Sequence, residues 1–144
     1  MPRSSAKPSA LDVVKTGGTA FEQATDLTAA AAAVSFDWRS TEPVFDAVRE
    51  EVDELREAWD AGSSQEIEHE LGDVLLATCN LARHLGVDPE AALMGALTRF
   101  ESRFRELERT AHAQGHTLPA LDPADLQERW QAAKRALATT GGGA

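Results

Sequence analysis

The chain has a single cysteine among 144 residues, Cys79. That excludes an intramolecular disulfide framework and any metal site built from several thiolates. Cys79 lies in the apolar stretch VLLATCNLA, so it reads as a small buried hydrophobe rather than a nucleophile. Basic residues are also scarce: 14 Lys and Arg stand against 24 Asp and Glu, a formal charge of −10. Such a balance argues against a nucleic-acid backbone or an anionic membrane as the partner, although a bound cation can invert the potential locally. No apolar run approaches the ~20 residues that span a bilayer, and Ala29–Val34 is short and weakly apolar. No hydrophobic segment follows Arg3 and Lys7, as a secretory signal would require. The expected location is the cytoplasm. No segment alternates apolar and polar residues long enough to make a strand. These absences leave an all-α protein.

The helix signals are explicit. Residues 1–18 read as a flexible leader with a short helix at Leu11–Lys15, residues 19–138 as one helical domain, and 139–144 as a flexible tail. A first, alanine-rich helix is expected from Ala20 to Val34. A second starts near Thr41 with Pro43 in its first turn and stops at Gly62. Ser63 and Glu66 form a capping-box pattern for a third, which ends at Leu85-Gly86. Asp88-Pro89 and Asp122-Pro123 each place an N-cap before a proline, opening helices that run to about Gln114 and Ala138. The expected fold is an antiparallel bundle of about four to five helices.

Against this background two acidic pairs stand out, Glu51 with Glu54 and Glu70 with Asp73. Residues three apart on a helix differ by about 60° around its axis, so each pair shares a face. On the second helix Val44, Phe45, Val48, Val52, Leu55 and Trp59 form the apolar arc. Glu51 and Glu54 flank it beside Ala47 and Ala58, while Glu50 points outward. On the third helix Glu66, Glu70, Asp73, Ala77, Asn80 and His84 make a polar stripe beside the core stripe. Its second half is apolar on the opposite side too, through Leu76 and Cys79, which predicts a second subunit over that face. Four carboxylates facing one another need a cation between them, and hard oxygen donors favour Mg²⁺ or Mn²⁺ over Zn²⁺. Gly72, costly inside a helix, is explained by close approach of a ligand or a backbone. Asn80 is either a satisfied core amide or a donor to substrate or to a ligated carboxylate. His84 reads as a helix-terminal residue interacting with the dipole. Arg99 and Arg103, one turn apart, suit phosphate oxygens; ion pairs with Glu101 or Glu106 are the plainer reading. Trp130 packs in the core or stacks on a base.

Taken in order, these residues resemble the MazG family of nucleoside triphosphate pyrophosphohydrolases. The resemblance runs from about Phe36 to Arg135. It rests on FDW at Phe36–Trp38, EExxE at Glu50–Glu54, ExGD at Glu70–Asp73, NLARHLG at Asn80–Gly86, RFxxRF at Arg99–Phe104 and RWQxxKR at Arg129–Arg135. It implies an all-α bundle assembled as a homodimer or homotetramer. It also implies hydrolysis of (d)NTP to (d)NMP and pyrophosphate in the upkeep of the nucleotide pool. Glu51, Glu54, Glu70 and Asp73 would bind Mg²⁺ or Mn²⁺, with Glu54 and Glu51 catalytic. Asn80, Arg99, Arg103, Trp130 and Lys134 would meet the nucleotide. The family often has lysine where Arg99 stands, which alters the contact geometry. Many members carry two tandem copies; this sequence shows one. A narrower sibling, a dUTPase or a phosphoribosyl-ATP pyrophosphohydrolase, shares the pattern. A ferritin-like di-metal site would need two ExxH motifs where only Glu66–His69 provides one. A non-catalytic acidic adaptor is the remaining alternative.

Overall fold

The computed structural model describes residues 8–140, and every regular element among them is helical. In chain order these are α1 (Ala20–Ala33), α2 (Glu42–Ala61), α3 (Ser64–His84), α4 (Pro89–Ala113) and α5 (Pro123–Thr140). Single 3-10 turns at Ala10–Val13 and Leu118–Ala120 complete the set. No helix among the described residues is long and apolar enough to cross a membrane. Residues 1–7 of the expected leader and 141–144 of the expected tail lie outside the described residues.

The caps act largely as the sequence predicts. Gly62 closes α2 in the left-handed region at φ 74°, and Gly86 follows α3 at φ 67°. Ser63 accepts the Glu66 N–H at 3.4 Å, so it caps α3. The reciprocal Glu66 bond of a full capping box is not formed, and the box expected there is corrected to a simple cap. Asp88 and Asp122 each accept a first-turn N–H at 2.9 Å, from Glu90 and Asp125. Full boxes occur at two other places, Thr19 with Glu22 and Ser9 with Asp12. The Ser9–Asp12 box holds a single 3-10 turn where a short helix was expected, and Val14, extended at ψ 123°, ends it. Because only glycine tolerates φ 74° cheaply, Gly62→Ala should cost about 1 kcal/mol, read as a lower urea midpoint at unchanged slope.

The chain divides into two compact units, one through Glu90 and one from Ala91. In the first, α2 and α3 form a tight helical hairpin and α1 packs on α3. Val44, 1 % exposed, Ala58 and Cys79 are its buried centre, with Ala30 contributed by α1. Alanine on the α2 stripe lets the two axes approach, since no bulky side chain holds them apart. The apolar arc read for α2 is only partly covered, with Val52 exposed and Trp59 62 % exposed; on α3, Leu71, Leu75 and Leu76 are exposed too. These side chains are apolar, yet no element of their own unit lies over them. A Cβ at Gly72 would meet nothing within 4 Å, so the close backbone approach expected there is absent within the described chain.

In the second unit, Leu107, Ala111 and Ala133 are buried. Trp130 of α5 meets Phe100 of α4 at 5.5 Å between ring centroids, tilted by 51°, a favourable aromatic geometry. Arg129 donates to Gln114 at 2.8 Å, tying α5 to the end of α4.

Candidate functional site

The α2–α3 hairpin converts sequence spacing into proximity. Glu51 from α2 and Glu70 with Asp73 from α3 place carboxylate oxygens within 4.8 Å of one another, all three half-buried. Glu54 stands outside this trio, exposed and one turn along α2. Its charge is nevertheless the strongest of those acting on Glu51. Partial burial, then repulsion from Glu54, Asp73, Glu70 and Glu50, raises the Glu51 carboxyl above the ordinary glutamate value. The arrangement is therefore electrostatically unfavourable by itself. It offers only hard oxygen donors, without thiolate or inward histidine, and fits a hard divalent cation. His69, exposed, touches Asp73 at 3.2 Å from the solvent side.

Beside the trio opens a cavity of about 630 Å³ whose wall includes Glu51 and Asp73. Its other walls come from α1, from the α1–α2 connection and from the second half of α3. The connection is shaped by a left-handed residue, Ser35 at φ 68°, where α1 ends. Phe36 N–H bonds back to Ala31 O at 3.0 Å and Ser35 N–H to Ala32 O at 2.9 Å, a Schellman closure without glycine. That turn carries Phe36, Asp37 and Trp38 to the cavity rim. Phe36 is 81 % and Trp38 51 % exposed, two flat faces with little protein against them.

Asp37 anchors this rim to α3. Its Oδ1 accepts from Arg83 Nη2 at 2.7 Å, His84 Nε2 at 2.8 Å and the Trp38 backbone N–H at 2.9 Å. Partial burial pushes the Asp37 carboxyl up, but the Arg83, His84 and Trp38 hydrogen bonds together outweigh it and hold it down to about 2. His84 thus bonds a carboxylate, beyond the helix-dipole role expected for it. Arg83 also donates to Asn80 Oδ1, from Nε at 3.2 Å and from Nη2 at 2.9 Å. Asn80 itself lines the cavity.

The remaining sequence candidates lie in the second unit. Arg99 is exposed on α4, Arg103 half-buried. Glu101 is taken by Arg105 and Glu106 by Arg109, so neither Arg99 nor Arg103 has an ion-pair partner among the described residues. Trp130 packs on Phe100, and Lys134 is half-buried on α5. Sequence reasoning missed Asp37 and Arg83 as site residues, and used Phe36 and Trp38 only as part of a motif. The available signal was two aromatics flanking an acid in a connection between helices.

A helical hairpin bearing a carboxylate trio, opening on an aromatic-rimmed cleft, defines an all-α protein with an acidic site suited to a divalent cation. Residues 39–107 match the MazG nucleotide pyrophosphohydrolase domain. A nucleoside triphosphate pyrophosphohydrolase of Escherichia coli (strain K12) is 44 % identical over 132 residues, covering 90 % of this chain and 50 % of the relative. A nucleoside triphosphate pyrophosphohydrolase/pyrophosphatase MazG of Thermotoga maritima is 41 % identical over 104 residues, covering 72 % of this chain and 40 % of the relative. The uncharacterized protein YabN of Bacillus subtilis is 33 % identical over 75 residues, 52 % of this chain and 15 % of the relative. The chain thus spans about half, or less, of the length of these curated relatives.

Proposed function

We propose that this protein hydrolyses nucleoside triphosphates to the monophosphate and pyrophosphate with Mg²⁺, or Mn²⁺, at the Glu51–Glu70–Asp73 site. The observation that carries the reading is the shared wall: two of the three clustered carboxylates border a cavity of nucleoside size rimmed by aromatic faces. When bound, the divalent ion would neutralise phosphate charge and polarise the phosphoryl oxygen under attack. Glu51, Glu70 and Asp73 would hold it, and Glu54, exposed one turn along α2, would take the proton of the attacking water. The water oxygen bonds to the α-phosphorus, the bond from phosphorus to the α–β bridging oxygen breaks, and pyrophosphate leaves with the electron pair. Arg99 and Arg103, uncommitted to acids of their own helix, are candidate bidentate donors to triphosphate oxygens. Lys134 adds a further cation, and Trp130 serves the nucleotide from α5. The working form is a homo-oligomer, because Leu71, Leu75 and Trp59 leave apolar surface that a second copy would cover. Upkeep of the nucleotide pool is the corresponding role.

The test incubates the protein with each NTP and dNTP and Mg²⁺, then resolves NMP from NDP. NMP and pyrophosphate in equal amounts, abolished by EDTA, are expected; NDP and phosphate, or no turnover of any triphosphate, would overturn the reading. Trp38→Ala should raise KM by about tenfold or more with kcat little changed, as loss of one base–aromatic stack predicts.

A further inference from the structure

We infer that Arg83 is a positioning residue for nucleoside recognition: held by Asp37, it fixes Asn80 as a one-way hydrogen-bond donor facing the cavity. The inference rests on the triphosphate reading above and adds how the nucleoside end of the same site is read.

The argument begins with donor and acceptor inventories. An arginine side chain has five N–H donors and no acceptor. The atom of Asn80 that faces Arg83 must therefore be its carbonyl oxygen, and the amide nitrogen must face the other way. Two Arg83 donors occupy that oxygen, at 3.2 and 2.9 Å, which uses both of its lone pairs. The amide nitrogen has no hydrogen-bond partner among the described residues, and Asn80 is part of the cavity wall. Asn80 and Arg83 both line the cavity, and with the Asn80 oxygen taken by Arg83 the pair has only N–H groups left to offer. A substrate atom meeting it has to be an acceptor.

Arg83 is itself held. Its Nη2 bridges Asn80 Oδ1 and Asp37 Oδ1, the latter at 2.7 Å, and its side chain is only 20 % exposed. Asp37 belongs to the rim set by the left-handed turn at Ser35, and it is further secured by His84 at 2.8 Å. One guanidinium thus joins three things: the direction of the Asn80 amide, the position of the Phe36–Trp38 rim, and the end of α3.

The place of Asn80 identifies what it reads. It stands two helical turns beyond Asp73 on α3, about 10 Å along the axis. A phosphate held at the trio would not extend that far, whereas its nucleoside, directed into the cavity, would. The acceptor is therefore an atom of the nucleoside, a base carbonyl or ring nitrogen or a ribose oxygen.

The decisive variant is Asn80→Asp. It matches the shape of asparagine and keeps Arg83 satisfied through an ion pair, so the fold is retained, but it turns an acceptor toward the substrate in place of a donor. KM is expected to rise about tenfold or more, with kcat changed much less and the melting temperature equal to or above wild type. Arg83→Met should raise KM comparably, Arg83→Lys should restore part of it, and Asn80→Ala added to Arg83→Met should have little further effect. Repeating the Asn80→Asp measurement with 2′,3′-dideoxynucleoside triphosphates narrows the acceptor: a vanished effect places it on the 2′ or 3′ hydroxyl, a persisting one on the base or the sugar ring oxygen. A wild-type KM for Asn80→Asp, or KM effects of Asn80→Ala and Arg83→Met that simply multiply, would overturn the positioning role. Failure of the wild type to hydrolyse any triphosphate would instead overturn the functional reading beneath it.

Discussion

Glu51→Gln should reduce triphosphate turnover by about 10²–10³-fold or more while making the metal-free protein more resistant to heat. Both effects come from one carboxylate. Glu51 is partly buried and within 4.8 Å of Glu70 and Asp73, with Glu54 close enough to add the strongest repulsion. Its folded-state pKa lies above the ordinary 4.5, so the folded chain holds that proton more tightly than the unfolded one. The linkage sign follows. The stability this carboxyl lends is fully present below about 4.5 and is lost as pH rises through the raised value. At neutral pH, without metal, the charge is a standing cost. Glutamine removes it, so metal-free Glu51→Gln should melt above wild type at pH 7, and the gap should close as the buffer is taken toward pH 4.5. Divalent cation should reverse the order. At a hundred times its Kd a ligand adds about 2.7 kcal/mol to the form that binds it, and the variant would have lost a ligating group. Thermal melts in EDTA and in Mg²⁺, beside a pyrophosphate-release assay, check each part. Equal melting temperatures in EDTA would show that the three carboxylates do not strain the fold.

Asp37→Ala should destabilise the protein by about 1.5–3 kcal/mol, the usual range for hydrogen bonds to a charged group. For a chain of this size that is a fall in melting temperature of about 5 °C or more. The reason is convergence on one oxygen. Arg83, His84 and the Trp38 N–H all donate to Asp37 Oδ1, and removing it leaves donors on two half-buried side chains unpaired. Here the pH sign is the reverse of that at Glu51. Asp37 is held at about 2 against an ordinary 3.8, so its contribution is complete above about 3.8 and disappears as pH falls through about 2. Acid titration of the melting temperature should therefore fall less steeply in the alanine variant than in wild type. If wild type and variant lose stability in parallel below pH 4, the Asp37 bonds contribute nothing particular to the acid limb.

Much of this architecture was legible from local chemistry. Asp88-Pro89, Asp122-Pro123, Ser63 and the glycines at 62 and 86 mark helix ends because a cap is decided within a few residues. The Glu70–Asp73 pair was legible for the same reason, since helical spacing alone puts both on one face. Less was visible wherever a second element decides the outcome. Glu51 and Glu54 have the same spacing as the α3 pair, yet of the two only Glu51 joins the cluster, a choice that spacing within α2 does not make. The helical wheel could not say which face is covered: Val52 and Trp59, on the apolar arc of the second helix, are exposed, while Ala58, on the flank beside Glu51 and Glu54, is buried. The link from Asp37 to Arg83 and on to Asn80 joins distant parts of the chain through a positive φ at a serine. No residue pattern announces that turn, because serine is uncommon there.

All three clustered acids belong to a single pair of consecutive helices joined by the tight Gly62–Ser63 turn. Closing so small a loop forfeits little chain entropy, and low-separation contacts of this kind form early on the way to the native state. A cation captured by this hairpin would therefore bind partly assembled chains as well as finished ones. Its presence should accelerate refolding, not merely retard unfolding, a division that stopped-flow chevrons recorded with and without Mg²⁺ would resolve.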